Sequence, residues 1–329
     1  MSSRRCLLPL LVVTIMSVSS CAPQIRAVPA PSHSTRVSLW DEPDDLAHRD
    51  LYFGPWGAEH APDPDATYEF LRPKLSGTNP GVVVRDPVGR EWHVKQAPHP
   101  SSRRGNEGPV EVALGRVLTA VGYHQPPVYF LRSFKMADAS GTHIEPGGRF
   151  RLHDHQLKDR GTWEWQQNPF VGTKPYQGLL AILMLFNSTD LKNANNTLYE
   201  FRPPEGRAEL WYVVRDLGAA LGETGRLEPT RNDPALFEQS RFTAGVKSGF
   251  VRFDFRGLHR ELIRHRVTVE DMRWASDLLS RLSDRQWSDA FRAGGYPDDV
   301  AVRFIAALRA RIAEGRNLAS TKAALRKGR

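Results

Sequence analysis

Asp190-Leu-Lys192-Asn-Ala-Asn195, followed downstream by Asp216-Leu-Gly218, is the stretch on which the reading of this chain turns. Just before it, Tyr176 to Phe186 is apolar on nearly every side, with Leu179, Leu180, Ile182, Leu183, Met184 and Leu185. That run falls well short of the ~20 residues a membrane span needs, so it predicts a helix buried in the core. Behind the polar run come two β-rich segments, Thr197 to Phe201 and Glu209 to Val214, around Pro203-Pro-Glu-Gly206. Taken singly, Asp190-Leu-Lys192 and Asn195-Asn196 also suit an ordinary loop capping a helix, and Asp216-Leu-Gly218 suits an ordinary turn. Their order is the informative part: buried helix, polar loop, strand pair, then a carboxylate beside a glycine.

Upstream, Gly81 to Asp86 and Arg90 to Lys95 are short β-rich runs joined by Pro87-Val-Gly89, which predicts a hairpin. A helix is expected from about Pro109 to Val121, since Val110, Leu114, Val117, Leu118 and Val121 recur at helical spacing and Pro109 suits a first turn. Val128 to Leu131 returns to strand character, with Arg149 to Leu152 as its partner across a Gly-rich turn. Beyond Asp216, loops, a β-like patch at Gly249 to Phe255 and two helices near 268–290 and 298–314 are expected.

Asp190-Leu-Lys192-Asn-Ala-Asn195 resembles the D-L-K-x-x-N catalytic loop of the protein-kinase-like superfamily, and Asp216-Leu-Gly218 resembles its metal-binding D-F-G element. The likeness is nearer to the phosphatidylinositol kinases and HipA-type kinases than to ordinary Ser/Thr kinases. It covers roughly residues 75–220. The fold it implies is α+β and two-lobed, with a β-rich N-lobe and a mainly helical C-lobe. The function it implies is transfer of the terminal phosphate of ATP, with Mg²⁺, to the hydroxyl of a protein, lipid or envelope sugar.

By that resemblance Asp190 accepts the hydroxyl proton, and Lys192 stabilises charge on the moving phosphoryl group. Asn195 and Asp216 offer hard oxygens to Mg²⁺, Asn195 being preferred to Asn196 by spacing. Lys95 matches the strand lysine that contacts phosphates, and Glu111 on the next helix would orient it, with Glu107 a weaker substitute in the preceding loop. Gly77 and Gly81, in Lys74-Leu-Ser-Gly77-Thr-Asn-Pro-Gly81, would cover the phosphates with backbone N–H groups. Ser188-Thr189 stands where His-Arg is usual, leucine replaces the phenylalanine of D-F-G, and no A-P-E element follows, so an atypical kinase is implied. The alternatives are a pseudokinase-type binding module and a structural envelope lipoprotein.

The N-terminus carries a separate signal. Arg4 and Arg5 precede an apolar run from Leu7 to Met16, and Val18-Ser19-Ser20-Cys21 matches a bacterial lipobox. The reading is a leader over 1–20, a lipidated Cys21 opening a Pro/Ala/Ser-rich linker over 21–45, an N-lobe over 46–155, a C-lobe over 156–320 and a basic tail over 321–329. The protein is then expected to be exported and anchored to a cell or outer membrane by lipid. The cysteines are Cys6 and Cys21, so leader removal and lipidation would leave no thiol for disulfides, zinc or cysteine catalysis. Lys and Arg number 45 against 37 Asp and Glu, a formal +8. A basic surface suits phosphates and headgroups, but no nucleic-acid motif accompanies it and none is expected to bind.

No G-x-S-x-G, H-E-x-x-H or Walker A motif occurs. His153-Asp-His155 lacks a third metal ligand, and Trp163-Glu-Trp165 is expected to pack in the domain.

Overall fold

The computed structural model describes residues 24–31, 36–75, 79–98, 105–225 and 230–319. Cys21, Gly77, the leader and the basic tail lie outside the described residues. Two short strands open the chain, β1 (Arg26–Ala27) and β2 (Arg36–Ser38). Then β3 (Thr67–Pro73), β4 (Gly81–Arg85) and β5 (Glu91–Gln96) precede helix α1 (Glu107–Ala120). The long pair β6 (Val128–Asp138) and β7 (Gly141–Leu152) follows. These five strands close into a barrel in the order β3-β4-β5-β7-β6, sealed by parallel pairing of β3 with β6.

The β4–β5 turn forms because Asp86 organises it. Its carboxylate accepts from Arg90 N at 2.7 Å, Arg90 Nε at 2.6 Å and the buried Trp92 Nε1 at 3.0 Å, while Gly89 takes the φ of +90° that the turn requires. Strand alternation then divides β5. Trp92 and Val94 enter the barrel core with Tyr68, Val84 and Phe150, which leaves His93 and Lys95 on the opposite face.

The Gly-rich turn expected between Leu131 and Arg149 is mostly strand, because β6 runs on to Asp138 and β7 starts at Gly141. Phe134 and Met136 alternate inward between Ser133 and Lys135, which carries the pairing outward. Part of the expected linker is also folded. β2 pairs in parallel with a later strand, Leu39 and Leu46 are buried, and Trp40 Nε1 donates to Val121 O at 2.7 Å. Through Trp40, which also bridges to Tyr123, this segment lies against the end of α1.

The second half contains β8 (Leu157–Asp159), β9 (Gln167–Asn168), α2 (Lys174–Leu185), β10 (Asn196–Phe201) and β11 (Glu209–Val214). A four-stranded sheet has the order β2-β11-β10-β8, and β1 pairs with β9. α3 (Pro234–Gln239), the hairpin β12 (Thr243–Lys247) with β13 (Phe250–Phe253), and α4 (Val269–Ser280), α5 (Asp284–Ala293) and α6 (Asp298–Asn317) complete the chain. The helix expected over 268–290 is thus two helices. Ser283 breaks it by capping α5 through a reciprocal box with Gln286, and Thr268 and Asp271 form the same box on α4.

α2 is buried nearly all round, as its composition predicts, and packs on α4. α1 lies between the barrel and α5, so its Val110, Leu114, Val117 and Leu118 share one core with α2 and the C-terminal helices. Each such side chain contributes about 1.5–3 kcal/mol on burial. Among the described residues no helix is long and apolar enough to cross a membrane.

Candidate active site

Because Trp92 and Val94 point into the barrel, Lys95 points toward α1, where it is only 5% exposed. Its ammonium bonds to Glu111 Oε1, lies 2.5 Å from Glu107 Oε2 and 3.4 Å from Asp216 Oδ1. Glu107 is not in a loop, as the sequence suggested, but the first residue of α1. Asn106 caps the helix by accepting from Gly108 N at 3.1 Å, so α1 starts two residues before Pro109. Glu107 and Glu111 are therefore an i,i+4 pair on one helix face.

Two further cations complete the cluster. Arg149, opposite Lys95 in the β5–β7 ladder, donates from Nε to Glu111 Oε2 at 2.8 Å, and Arg231 pairs with Glu107. Three carboxylates thus meet Lys95, Arg149 and Arg231, so the buried charges are compensated. Glu107, Glu111 and Asp216 offer oxygens within 4.8 Å of one another, and the Lys95 ammonium sits among them.

Asp216 lies two residues past the end of β11 rather than on the strand itself. Burial pushes its carboxyl up, but the Lys95 and Arg149 charges and the Gly218 N–H, at 3.3 Å, outweigh this and hold it below the usual carboxylate range. It is ionised and 40% exposed. Gly218 serves space rather than a sharp turn. A Cβ there would lie 2.5 Å from Glu107 Cβ and 3.1 Å from Glu111 Oε1, so only glycine lets this segment approach α1 so closely.

The Asp190 loop is fastened to the Asp216 segment at two places. Thr189 N donates to Ala219 O at 2.9 Å, while Asn195 O accepts from Arg215 N at 2.9 Å and Asp216 N at 3.3 Å. Asn195 Nδ2 also donates to Asp190 O at 2.9 Å. Asn195 therefore bridges the two carboxylate-bearing segments, whereas Asn196 is buried in β10 with its Nδ2 on Trp163 O. Leu191 anchors the loop in the core, and Lys192, half-exposed, lies 3.0 Å from Asp190 Oδ1. Behind the loop, buried Arg311 of α6 donates to Leu185 O at 3.1 Å and to Asn187 Oδ1 at 2.8 Å, fixing the end of α2.

Gly81 sits opposite Lys95 in the β4–β5 ladder, and a Cβ there would come within 2.2 Å of Val94 O. Its visible role is close strand packing. Lys74, whose Nζ donates to Asn79 O at 3.1 Å, is pushed down by burial and by the Lys95 and Arg149 charges.

A cavity of about 500 Å³ lies further along the same strands, lined by none of Lys95, Glu111, Asp190, Asn195 or Asp216 themselves. His93 and Arg151 line one side, each two residues from Lys95 and Arg149 on the same strand faces, and Arg215 beside Asp216 lines another with Tyr199. Neither this cavity nor Arg149 was foreseen. His153 and His155 border it, but their rings are 6.2 Å apart and, among the described residues, no metal-type donor set gathers around them. Trp163 and Trp165 are buried in the core, as expected.

His93 is pushed down from 6.5 to about 4, first by burial and then by the Arg151 guanidinium. His124, stacked on Trp211, is likewise pushed down to about 4 by burial, against the pull of Asp41 and Glu209. Between these values the unfolded chain binds more protons, so stability is full above about 6.5 and is lost as the pH falls toward about 4. The urea midpoint should fall between about pH 7 and about pH 5, and fall less in His124→Gln. A midpoint equally steep in both proteins would remove His124 from the account.

No protein family model matches the chain, and no curated protein matches it. One solved structure that matches is the crystal structure of the Helicobacter pylori proinflammatory kinase CtkA, at 12% identity. The match covers 76% of this chain and 98% of that one, with a TM-score of 0.32.

Proposed function

We propose that this protein is an atypical, two-lobed kinase, with the barrel and α1 as its N-lobe, that transfers the terminal phosphate of ATP to a hydroxyl. The observation that carries this reading is the Lys95 ammonium, bonded to Glu111 and facing Asp216 at 3.4 Å, while Asn195 ties Asp216 to the Asp190 loop.

Lys95 has three N–H donors. Two are engaged by Glu107 and Glu111, and the third makes a long hydrogen bond to Asp216, at 3.4 Å, that a phosphate oxygen would replace. Arg149 and Lys74 add positive charge on the same side. The donor set suits Mg²⁺: Asp216 is ionised, and Asn195, with Nδ2 spent on the Asp190 carbonyl, has Oδ1 left to offer. Bound there, Mg²⁺ would neutralise phosphate charge. The cavity between His93 and Arg215 is of a size to hold the base and ribose.

In the reaction the acceptor oxygen bonds to the terminal phosphorus, the bond from that phosphorus to the bridging oxygen breaks, and ADP leaves. The hydroxyl proton passes to Asp190. Lys192 partners Asp190 through an exposed contact that costs little to rearrange, so it is free to follow the developing charge. In the same reading, lipid on Cys21 holds this machinery at a membrane.

The test is ATP binding and turnover by the full chain with and without Mg²⁺, in wild type and Asp216→Asn. Mg²⁺-dependent binding that is lost in the variant is expected. Binding of equal strength in both proteins, or none in either, overturns the reading.

A further inference from the structure

A second concave surface lies away from this cluster. The β12–β13 hairpin and the segment after it enclose a cavity of about 600 Å³, to which Lys247, Arg252, Arg256, Arg260 and Arg264 all contribute. Asp254 is the one carboxylate in its lining, and Phe250 and Ile263 supply apolar wall. All five cations are exposed. Among the described residues none of the five forms a salt bridge or a side-chain hydrogen bond.

Several exposed arginines elsewhere in the molecule do have carboxylate partners. Arg303 pairs with Glu238, Arg309 with Asp284 and Arg316 with Asp277. The fold also holds the unpaired cations in place. His259 and His265, at φ of +58° and +57°, bracket the short turn that bears Arg260 and Arg264, and Arg256 N is tied to Thr224 Oγ1 at 3.3 Å. Five like charges around one hollow repel one another, and among the described residues Asp254 is the one carboxylate in the lining to set against them.

We propose that this hollow is a binding site for clustered phosphate groups, separate from the Lys95–Asp216 cluster. Arginine forks match phosphate oxygens in pairs. A ligand with a single carboxylate would leave most of the five cations unmatched, whereas two or three adjacent phosphates match them. The volume suits a small molecule or a headgroup, with its apolar part against Phe250 and Ile263. The same chemistry is offered by a free polyphosphate and by the headgroups of an anionic bilayer.

The test titrates the full chain with tripolyphosphate in EDTA, where the acid-lined cluster has no divalent cation with which to recruit phosphate. The comparison is Arg252→Ser combined with Arg264→Ser, two exposed and unpaired positions, with the thermal midpoint in the absence of anion as the folding control. Wild type should bind, and each arginine lost should weaken binding by roughly tenfold. In a parallel arm both proteins are sedimented with vesicles of phosphatidylglycerol and of phosphatidylcholine. Both carry the same N-terminus, so only their difference is read. A wild-type excess on phosphatidylglycerol assigns the headgroup source, and tripolyphosphate binding without that excess assigns a free ligand. If neither probe distinguishes the folded variant from wild type, the site does not exist.

Discussion

Lys95→Met lowers the stability of the chain by about 3 kcal/mol, the lower end of the 3–5 kcal/mol range for removing one partner of a buried ion pair. Methionine keeps the length and apolar stem of the lysine, so the change isolates the charge. What remains is Glu107, Glu111 and Asp216 around a vacated ammonium position, the two glutamates nearly buried. Arg149 still serves Glu111 and Arg231 still serves Glu107, which keeps the loss from being larger. Three carboxylates with one compensating cation fewer cannot all stay charged, so at least one takes up a proton. Urea unfolding gives the direct readout, and the loss should shrink at mildly acidic pH. An unchanged midpoint would mean that the cluster opens to water, and the charge argument would fail with it.

Asp190→Asn has the opposite profile. The side chain is 26% exposed, the Asn195 amide binds the backbone carbonyl of Asp190 and not its carboxylate, and Leu191 keeps its anchor. Stability should therefore move by no more than about 0.5 kcal/mol. If Asp190 is the proton acceptor, kcat for phosphate transfer falls roughly 10²–10⁴-fold, with the KM for ATP unchanged. A variant that folds and turns over at the wild-type rate would leave the proton without its proposed destination. A KM change alone would move Asp190 from proton transfer to substrate binding.

Local patterns carried much of the architecture. The β-rich run from Arg90 to Lys95, the Pro87-Val-Gly89 turn and the helical spacing from Val110 to Val121 all match the structure, because each expresses local backbone preferences. Errors came where a local signal was weighed too narrowly. Pro109 suits a first turn, but Asn106 caps α1 and starts it two residues earlier, which brings Glu107 into an i,i+4 relation with Glu111. Helical spacing alone runs through 268–290, whereas the Ser283–Gln286 capping box starts a new helix there.

By itself the sequence determined which groups were available: a lysine at the end of a strand, a glutamate on the next helix with a second one just before it, and Asp190, Asn195 and Asp216 around a strand pair. Only the tertiary structure decided who meets whom. Arg149 and Arg231 reach the glutamates from positions 38 and 124 residues away in the chain, and the five cations of the second hollow converge from a hairpin and a turn. Spacing along a helix or strand sets only the side a residue faces. The balance of charge in a buried cluster depends on distances across the core, where the low dielectric makes each added partner decisive.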